Sequence, residues 1–181
     1  MMTLAAVALL LAQMVAPHEP VDAVSEVLVK GAAAEATGDG KKLLAAAEAL
    51  DALGARPAVA GPGLSEHWRG LARRRGVTAR TPPLRGRALG PAYRTGVLAP
   101  GTEVSTEQVF LAGHKAVVVL VPQAAGALDL RIVGDDRTDV CARTAQPPRA
   151  TCSWLPVFTT RVDIRVANRS ANPARYYLVS N

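Results

Sequence analysis

The sequence predicts an α+β protein in which an α-helical hairpin precedes a mainly β C-terminal domain. From residue 93 to 181, short apolar runs alternate with clusters of turn residues, a rhythm typical of an antiparallel β-sandwich. Before residue 54, apolar residues recur with the helical period. The chain has two cysteines, Cys141 and Cys152. In an exported protein such a pair favours a disulfide, and we expect one to close the sandwich.

The first sixteen residues form an apolar run without a charged side chain. Its core of about a dozen residues is shorter than the roughly 20 that a membrane-spanning helix needs. We interpret residues 1–16 as a signal peptide, the alternative being a buried N-terminal helix. The expected location is therefore periplasmic or secreted, with no transmembrane segment after the signal is removed.

Residues 17–54 predict two helices joined by a short turn. Val21, Val24 and Leu28 form one apolar stripe, and Gly38 and Asp39 suit the end of one helix and the cap of the next. The hairpin resembles a single tetratricopeptide-type unit. Because one such unit cannot bury its own apolar face, we expect it to pack on the sandwich, on a membrane surface or on another chain. If the hairpin packs on another chain, the partner that we expect is another envelope protein.

Residues 55–92 are rich in proline and glycine and hold eight arginines against one acid, Glu66. Leu64 to Arg74 is compatible with a short helix, and we interpret the remainder as a linker. Such a basic segment indicates an acidic polymer or anionic lipid as partner rather than a specific nucleic acid. The alternative is a spacer kept extended by its own charge. The candidate anion-binding residues are Arg69, Arg73, Arg74, Arg75, Arg80, Arg85 and Arg87.

The C-terminal domain predicts seven or eight strands in a jelly-roll-like sandwich. The clearest alternation places Val162, Ile164 and Val166 on one face of a strand. The run from Ala116 to Val121 is apolar throughout and indicates a strand buried on both sides or in the sandwich core. The other predicted strands are Ser105–Leu111, Leu128–Val133, Asp139–Arg143, Cys152–Leu155 and Arg175–Val179.

The order of these segments resembles the bacterial pre-peptidase C-terminal domain. The resemblance depends on Gln108-Val109-Phe110-Leu111-Ala112-Gly113, on an Asp-Leu strand, on an Ile-x-Val-x-Asn strand ending at Asn168 and on Tyr176-Tyr177-Leu178. It implies a jelly-roll-like β-sandwich of the kind appended to exported proteins. That family normally accompanies a peptidase or another enzyme, and this sequence shows no such partner domain.

Four acids around one turn are candidate calcium ligands, because carboxylate oxygens suit this ion. They are Asp129, Asp135, Asp136 and Asp139. The resembled family sometimes binds calcium in such loops. The alternative is a solvated hairpin tip, since Arg137 lies among the acids and the spacing is not that of an EF-hand. We expect no firm metal site and no cofactor.

No catalytic motif is evident around His18, His67 or His114, and the sequence contains no Gly-x-Ser-x-Gly elbow. Trp154 is interpreted as a shield for the disulfide or a core residue, the alternative being a carbohydrate platform. A redox role is the alternative for the cysteine pair. We therefore expect a non-catalytic exported bacterial protein that serves as a binding or structural module. The alternatives are an envelope polyanion-binding protein that uses the arginine-rich segment and a hydrolase with a cryptic site.

Overall fold

The helices pack on one face of a β-sandwich, so the fold has three layers. The structure is a computed structural model that describes residues 19–78, 90–123, 127–145 and 149–181. This confirms the β-rich α+β class. In chain order the elements are α1 (Pro20–Thr37), α2 (Gly40–Ala52), β1 (Arg56–Pro57), α3 (Leu64–Arg74), β2 (Ala92–Leu98), β3 (Glu103–Phe110), β4 (Ala116–Pro122), β5 (Leu128–Gly134), β6 (Asp139–Ala145), β7 (Ala150–Trp154), β8 (Thr160–Asn168) and β9 (Ala174–Ser180).

The strands form a five-stranded sheet in the order β1-β2-β9-β4-β7 and a four-stranded sheet in the order β3-β8-β5-β6. Strand β1 runs parallel to β2, and the other pairs are antiparallel. Apart from the two-residue β1, each strand lies in the other sheet from the strand before it, except in the β5–β6 hairpin, as in a jelly roll. The jelly-roll-like sandwich that the sequence predicts is therefore present.

The helical hairpin is confirmed, together with the residues that delimit it. Gly38 follows α1 with a φ of 69°, and its backbone N–H bonds back to the carbonyls of Ala34 and Glu35. Asp39 caps α2 by accepting a 3.0 Å hydrogen bond from the amide of Lys42. That amide bond lowers the pKa of Asp39 below its ordinary value. The turn is thus set by a left-handed glycine and an aspartate cap.

Strand β4 is the middle of the three layers, which explains its unbroken apolar sequence. Val117, Val119 and Val121 pack with the helices in one apolar core. Val118 and Leu120 point the other way, into the core between the two sheets. Helix α1 lies against β4 and β9. The apolar stripe of the hairpin is therefore buried on the chain's own sandwich, the first of the surfaces expected for it.

The short helix expected over Leu64–Arg74 is present as α3, whereas the described residues before it are not the free linker that composition predicts. Strand β1 pairs with β2, and α3 packs against α2 with the side chain of Trp68 fully buried. Most of the arginines of α3 point outward, while Trp68 and Ala72 form its buried side.

Two predicted segments lie outside the described residues. They are the predicted signal peptide, at residues 1–16, and the part of the arginine-rich segment that contains Arg80, Arg85 and Arg87. Within the described ranges, no helix combines the length and the apolar character needed to cross a membrane.

Candidate functional site

The predicted disulfide joins Cys141 of β6 to Cys152 of β7. These strands are edge strands, one in each sheet. Cys152 is fully buried and Cys141 packs beside the inter-sheet core. The bond therefore fastens the two sheets together along one side of the sandwich.

The predicted anion-binding arginines that are described do not converge on one pocket. Arg69 is ion-paired with Asp51 of α2. Arg73 and Arg74 are exposed in the last turn of α3. The guanidinium group of Arg75 lies over Gly38, at the end of α1. Arg69 and Arg73 line a shallow cavity of about 310 Å³ between α3 and α2.

Asp135 is exposed in the turn after β5, and the other three candidate calcium ligands are engaged with other partners. Asp129 accepts hydrogen bonds from Thr144 at 2.9 Å and from Arg169 at 3.0 Å. Asp139 accepts two from Arg131. The carboxylate of Asp136 accepts bonds from the hydroxyl and amide of Thr138, which lower its pKa. In the part of the chain that the structure covers, no three His, Cys, Asp or Glu residues are grouped to hold a metal.

His67 and His114 occupy separate environments. Glu35 of α1 contacts His67 Nε2 at 3.2 Å and accepts a 3.0 Å bond from Trp68 Nε1, so His67 belongs to the contact between α1 and α3. His114 is exposed in the turn between β3 and β4. His18 lies outside the described residues.

Trp154 packs edge-on against Phe110, with ring centroids 4.8 Å apart. Phe110 is buried in the core between the sheets, and Trp154 lies partly buried against that core. This geometry matches the interpretation of Trp154 as a filler of the core next to the disulfide.

The outward side of the four-stranded sheet is a charged concave surface that the sequence did not single out. It lines a cavity of about 490 Å³ that is open to solvent. We call this surface the charged face and define it by its principal side chains. They are Glu107 of β3, Arg161, Asp163 and Arg165 of β8, Arg131 of β5 and Asp139 of β6.

Strand register arranges the charges of this face in rows. Arg131 of β5 lies directly opposite Arg165 of β8, which makes a basic row. In the next row, Asp163 lies opposite Glu107 of β3. Asp139 of β6 belongs to the same acidic row through its pairing with β5. Arg161 lies beyond that row, on β8.

Ion pairs connect these rows. Arg161 bonds Glu107 at 3.1 Å and Arg131 bonds Asp139 at 2.9 Å. Arg165 reaches Asp163 at 3.3 Å through Nη2, while its Nε atom is buried with no hydrogen-bond partner. A buried donor without an acceptor is costly. Arg165 is thus only partly satisfied by its own chain.

The strand alternation gave a signal for this face. Arg161, Asp163 and Arg165 alternate with apolar residues on β8, as Asp129 and Arg131 do on β5. The alternation places these residues on the polar side of each strand, but it does not reveal which charges become neighbours. Cross-strand register decides that.

A second exposed surface lies at one end of the sandwich. The amide of Gly113 donates to the carbonyl of Pro156 at 2.9 Å, which joins the loop after β3 to the loop after β7. These loops expose large apolar side chains, and Val157 and Phe158 are 80% and 78% exposed. Leu111 and Leu155 are also exposed there. This end of the sandwich is therefore apolar.

The sequence matches no family model and no curated protein. Among solved structures, the Yersinia pseudotuberculosis-derived mitogen is similar at 13% identity over 51% of this chain and 85% of that chain, with a TM-score of 0.42. Aeromonas hydrophila PliG, a periplasmic lysozyme inhibitor of g-type lysozyme, shares 11% identity over 50% and 84%, with a TM-score of 0.39. A de novo designed double-stranded β-helix shares 15% identity over 49% and 97%, with a TM-score of 0.35. Likenesses this remote say nothing about function.

Proposed function

We propose that this chain is a non-catalytic exported bacterial protein whose disulfide-closed sandwich acts as a binding module through the charged face. The observation behind this is the unequal covering of the two sheets. Helices bury much of the outer side of the five-stranded sheet, whereas the outer side of the four-stranded sheet is a solvent-open cavity lined by charged groups. Concave surfaces with converging polar groups are the usual location of ligand sites.

Export accounts for the disulfide, because such bonds form and persist in oxidising compartments such as the periplasm. The uncharged apolar run at the N-terminus supports the same location. The resemblance to the pre-peptidase C-terminal domain agrees with an exported accessory sandwich, and membership of that family stays a prediction. A further envelope protein that docks on the helices would have to use their outer surface, since the inner stripe is covered by the sandwich.

An array of neutral and acidic polysaccharides and acidic peptides, probed near physiological salt, tests this proposal. One variant combines Arg131→Gln and Arg165→Gln on the charged face, and a matched variant combines Arg73→Gln and Arg74→Gln on α3. Both remove two positive charges. We expect the face variant alone to lose binding. If the unaltered protein binds nothing, or if both variants bind as it does, the proposal fails.

A second candidate function is polyanion binding through α3. Its support is that Arg73 and Arg74 are exposed side by side, and neither forms an ion pair with any residue that the structure describes. Counterion release would make such binding fall steeply with salt. Loss confined to the α3 variant, together with that salt dependence, would support this candidate. Labelling by a serine-directed activity probe would instead support the cryptic hydrolase.

A further inference from the structure

The opposed pair Arg131 and Arg165 is the part of the charged face with the most specific chemistry. Both side chains point outward from neighbouring central strands, and 56% of the Arg131 side chain and 37% of the Arg165 side chain are exposed. Directly opposite residues of antiparallel strands have Cβ atoms about 5 Å apart, and like charges at that distance repel. An arrangement of this kind is stabilised by any anion that lies between the two guanidinium groups.

The chain's own carboxylates satisfy the two arginines incompletely. A guanidinium group has five N–H donors. Arg131 uses Nε and Nη2 on one oxygen of Asp139, and Arg165 uses Nη2 alone on Asp163. The Nε of Arg165 has no acceptor. Because Asp139 and Asp163 lie in the adjacent row of the sheet, the space directly over the arginine pair is left to the cavity.

We infer that the charged face binds a singly charged oxyanion group of a larger, otherwise neutral ligand between Arg131 and Arg165. The group is a carboxylate, a sulfate monoester or a phosphate diester, each with one negative charge, because planar guanidinium forks match these oxygens with paired hydrogen bonds. This inference rests on the proposed function, since it assigns a ligand class to the same face. The cavity of about 490 Å³ leaves space for further atoms of the ligand beside the anion.

The acidic row limits the charge of the ligand. Glu107, Asp163 and Asp139 flank the arginine pair and remain part of the same cavity. A densely charged polyanion laid across the face would meet these carboxylates, and their repulsion disfavours it. A ligand with one anionic group avoids that repulsion. This separates the charged face from the exposed arginines of α3, which have no comparable acidic row beside them on the helix.

Arginine-detected NMR tests the inference on the full chain, since each Nε–H group gives its own signal. Acetate and methyl sulfate are added separately at constant ionic strength, maintained with chloride, so that the carboxylate and sulfate arms are compared. We expect saturating shifts of the Arg131 and Arg165 Nε–H signals. Arg165→Gln should weaken binding by at least about tenfold. Arg165→Lys, which keeps the charge and loses the fork, should also weaken it severalfold.

Arg169→Gln is the matched control. Arg169 follows β8 and is ion-paired with Asp129 of β5, and neither residue lines the cavity. The substitution should leave the affinity within about twofold. The inference is overturned by shifts that rise linearly without saturation for both anions, or by an equal loss of affinity in Arg169→Gln. If the array shows binding that the face variant loses, but neither anion gives saturating shifts, the proposed function stands and only the oxyanion site is refuted. If the array shows no binding and neither anion gives saturating shifts, the proposed function is refuted as well.

Discussion

The indole ring of Trp68 occupies the space where a side chain at Gly31 would begin. A Cβ atom on Gly31 would lie 2.1 Å from Cη2 of Trp68, a distance that no real contact allows. Gly31 is in the interior of α1 and Trp68 is in α3, so this missing side chain is what lets the two helices meet. A glycine that weakens α1 locally is therefore required by the packing of the helical layer.

Replacing Gly31 with alanine should destabilise the protein, although alanine is the better helix former by about 1 kcal/mol. The overlap with a fully buried indole ring outweighs that gain, and we expect a net loss of about 1–3 kcal/mol. Gly70→Ala in α3 is the control, since its Cβ would meet only Nη1 of Arg74, at 3.7 Å. That variant should gain up to about 1 kcal/mol. Urea unfolding of both variants measures the difference, and equal effects would contradict the packing argument.

Removing the disulfide should lower stability through the chain entropy of the unfolded state. The cysteines are separated by 11 positions, and closing a loop of that size contributes about 3 kcal/mol. The double variant Cys141→Ala, Cys152→Ala and the reduced unaltered protein should both show this loss in chemical denaturation. The reduced protein controls for the changed side chains. An unfolding midpoint that does not respond to reductant would rule the prediction out.

The buried side-chain amide of Asn168, at the end of β8, bonds to the end of β2 and to the turn between β8 and β9. Its Nδ2 lies within 2.8–3.2 Å of the carbonyls of Leu98, Ala99 and Asn172, and its Oδ1 accepts bonds from the amide and hydroxyl of Ser170. Asn168→Ala should cost about 3 kcal/mol because several buried polar groups lose their partner. Ser170→Ala, the control, should cost less than about 1 kcal/mol. Thermal unfolding of the two variants compares them, and similar melting temperatures would count against this role.

Stability should fall at alkaline pH because of buried tyrosines. Burial, with the Glu35 carboxylate second, raises the pKa of Tyr177 well above its ordinary value, and burial also raises the pKa of Tyr93 and of Tyr176. A raised folded-state pKa means that this contribution is complete below about pH 10, the pKa of an unfolded-state tyrosine, and is lost as pH rises further. Each such group removes up to about 1.4 kcal/mol per pH unit above that point.

Tyr177→Phe isolates the contribution of that tyrosine. The variant should lose stability less steeply than the unaltered protein above about pH 10, with a residual slope from Tyr93 and Tyr176. Urea unfolding at several alkaline pH values gives the slopes. Absorbance of the tyrosinate ion should appear together with unfolding, and identical slopes in the two proteins would refute the assignment to Tyr177.

The strand segments could be predicted from the sequence where one residue pattern decides the structure. The alternation on β8 and the apolar run of β4 each correspond to an observed strand. The sequence does not predict strand β2, because Arg94, Thr95 and Gly96 interrupt its apolar residues. Gly96 is needed there, since the ring of Tyr176 on the neighbouring strand occupies the position of its Cβ. Cross-strand partners of this kind cannot be read from local sequence.

The arrangement of layers and the charged face depend on long-range pairing. The sequence indicates that the hairpin needs a partner surface, but Val117 and Val119 on the helix side of β4 become that surface only when the sheet forms. Likewise, Arg131 and Arg165 are 34 positions apart in the sequence and become neighbours through the register of β5 and β8. Local periodicity reveals neither the surface on which the hairpin packs nor the pairing of the two arginines.

The disulfide restrains only one of the two sides of the sandwich. On the β6–β7 side a covalent bond joins the sheets, whereas on the β2–β3 side they are joined by a short turn and by side-chain hydrogen bonds such as that of Gln108 with Ser180. We therefore expect transient opening to begin at the free edge of β3. In hydrogen–deuterium exchange, protection of the inter-strand amides should decrease from β5 towards β3, and reduction should extend fast exchange to β6.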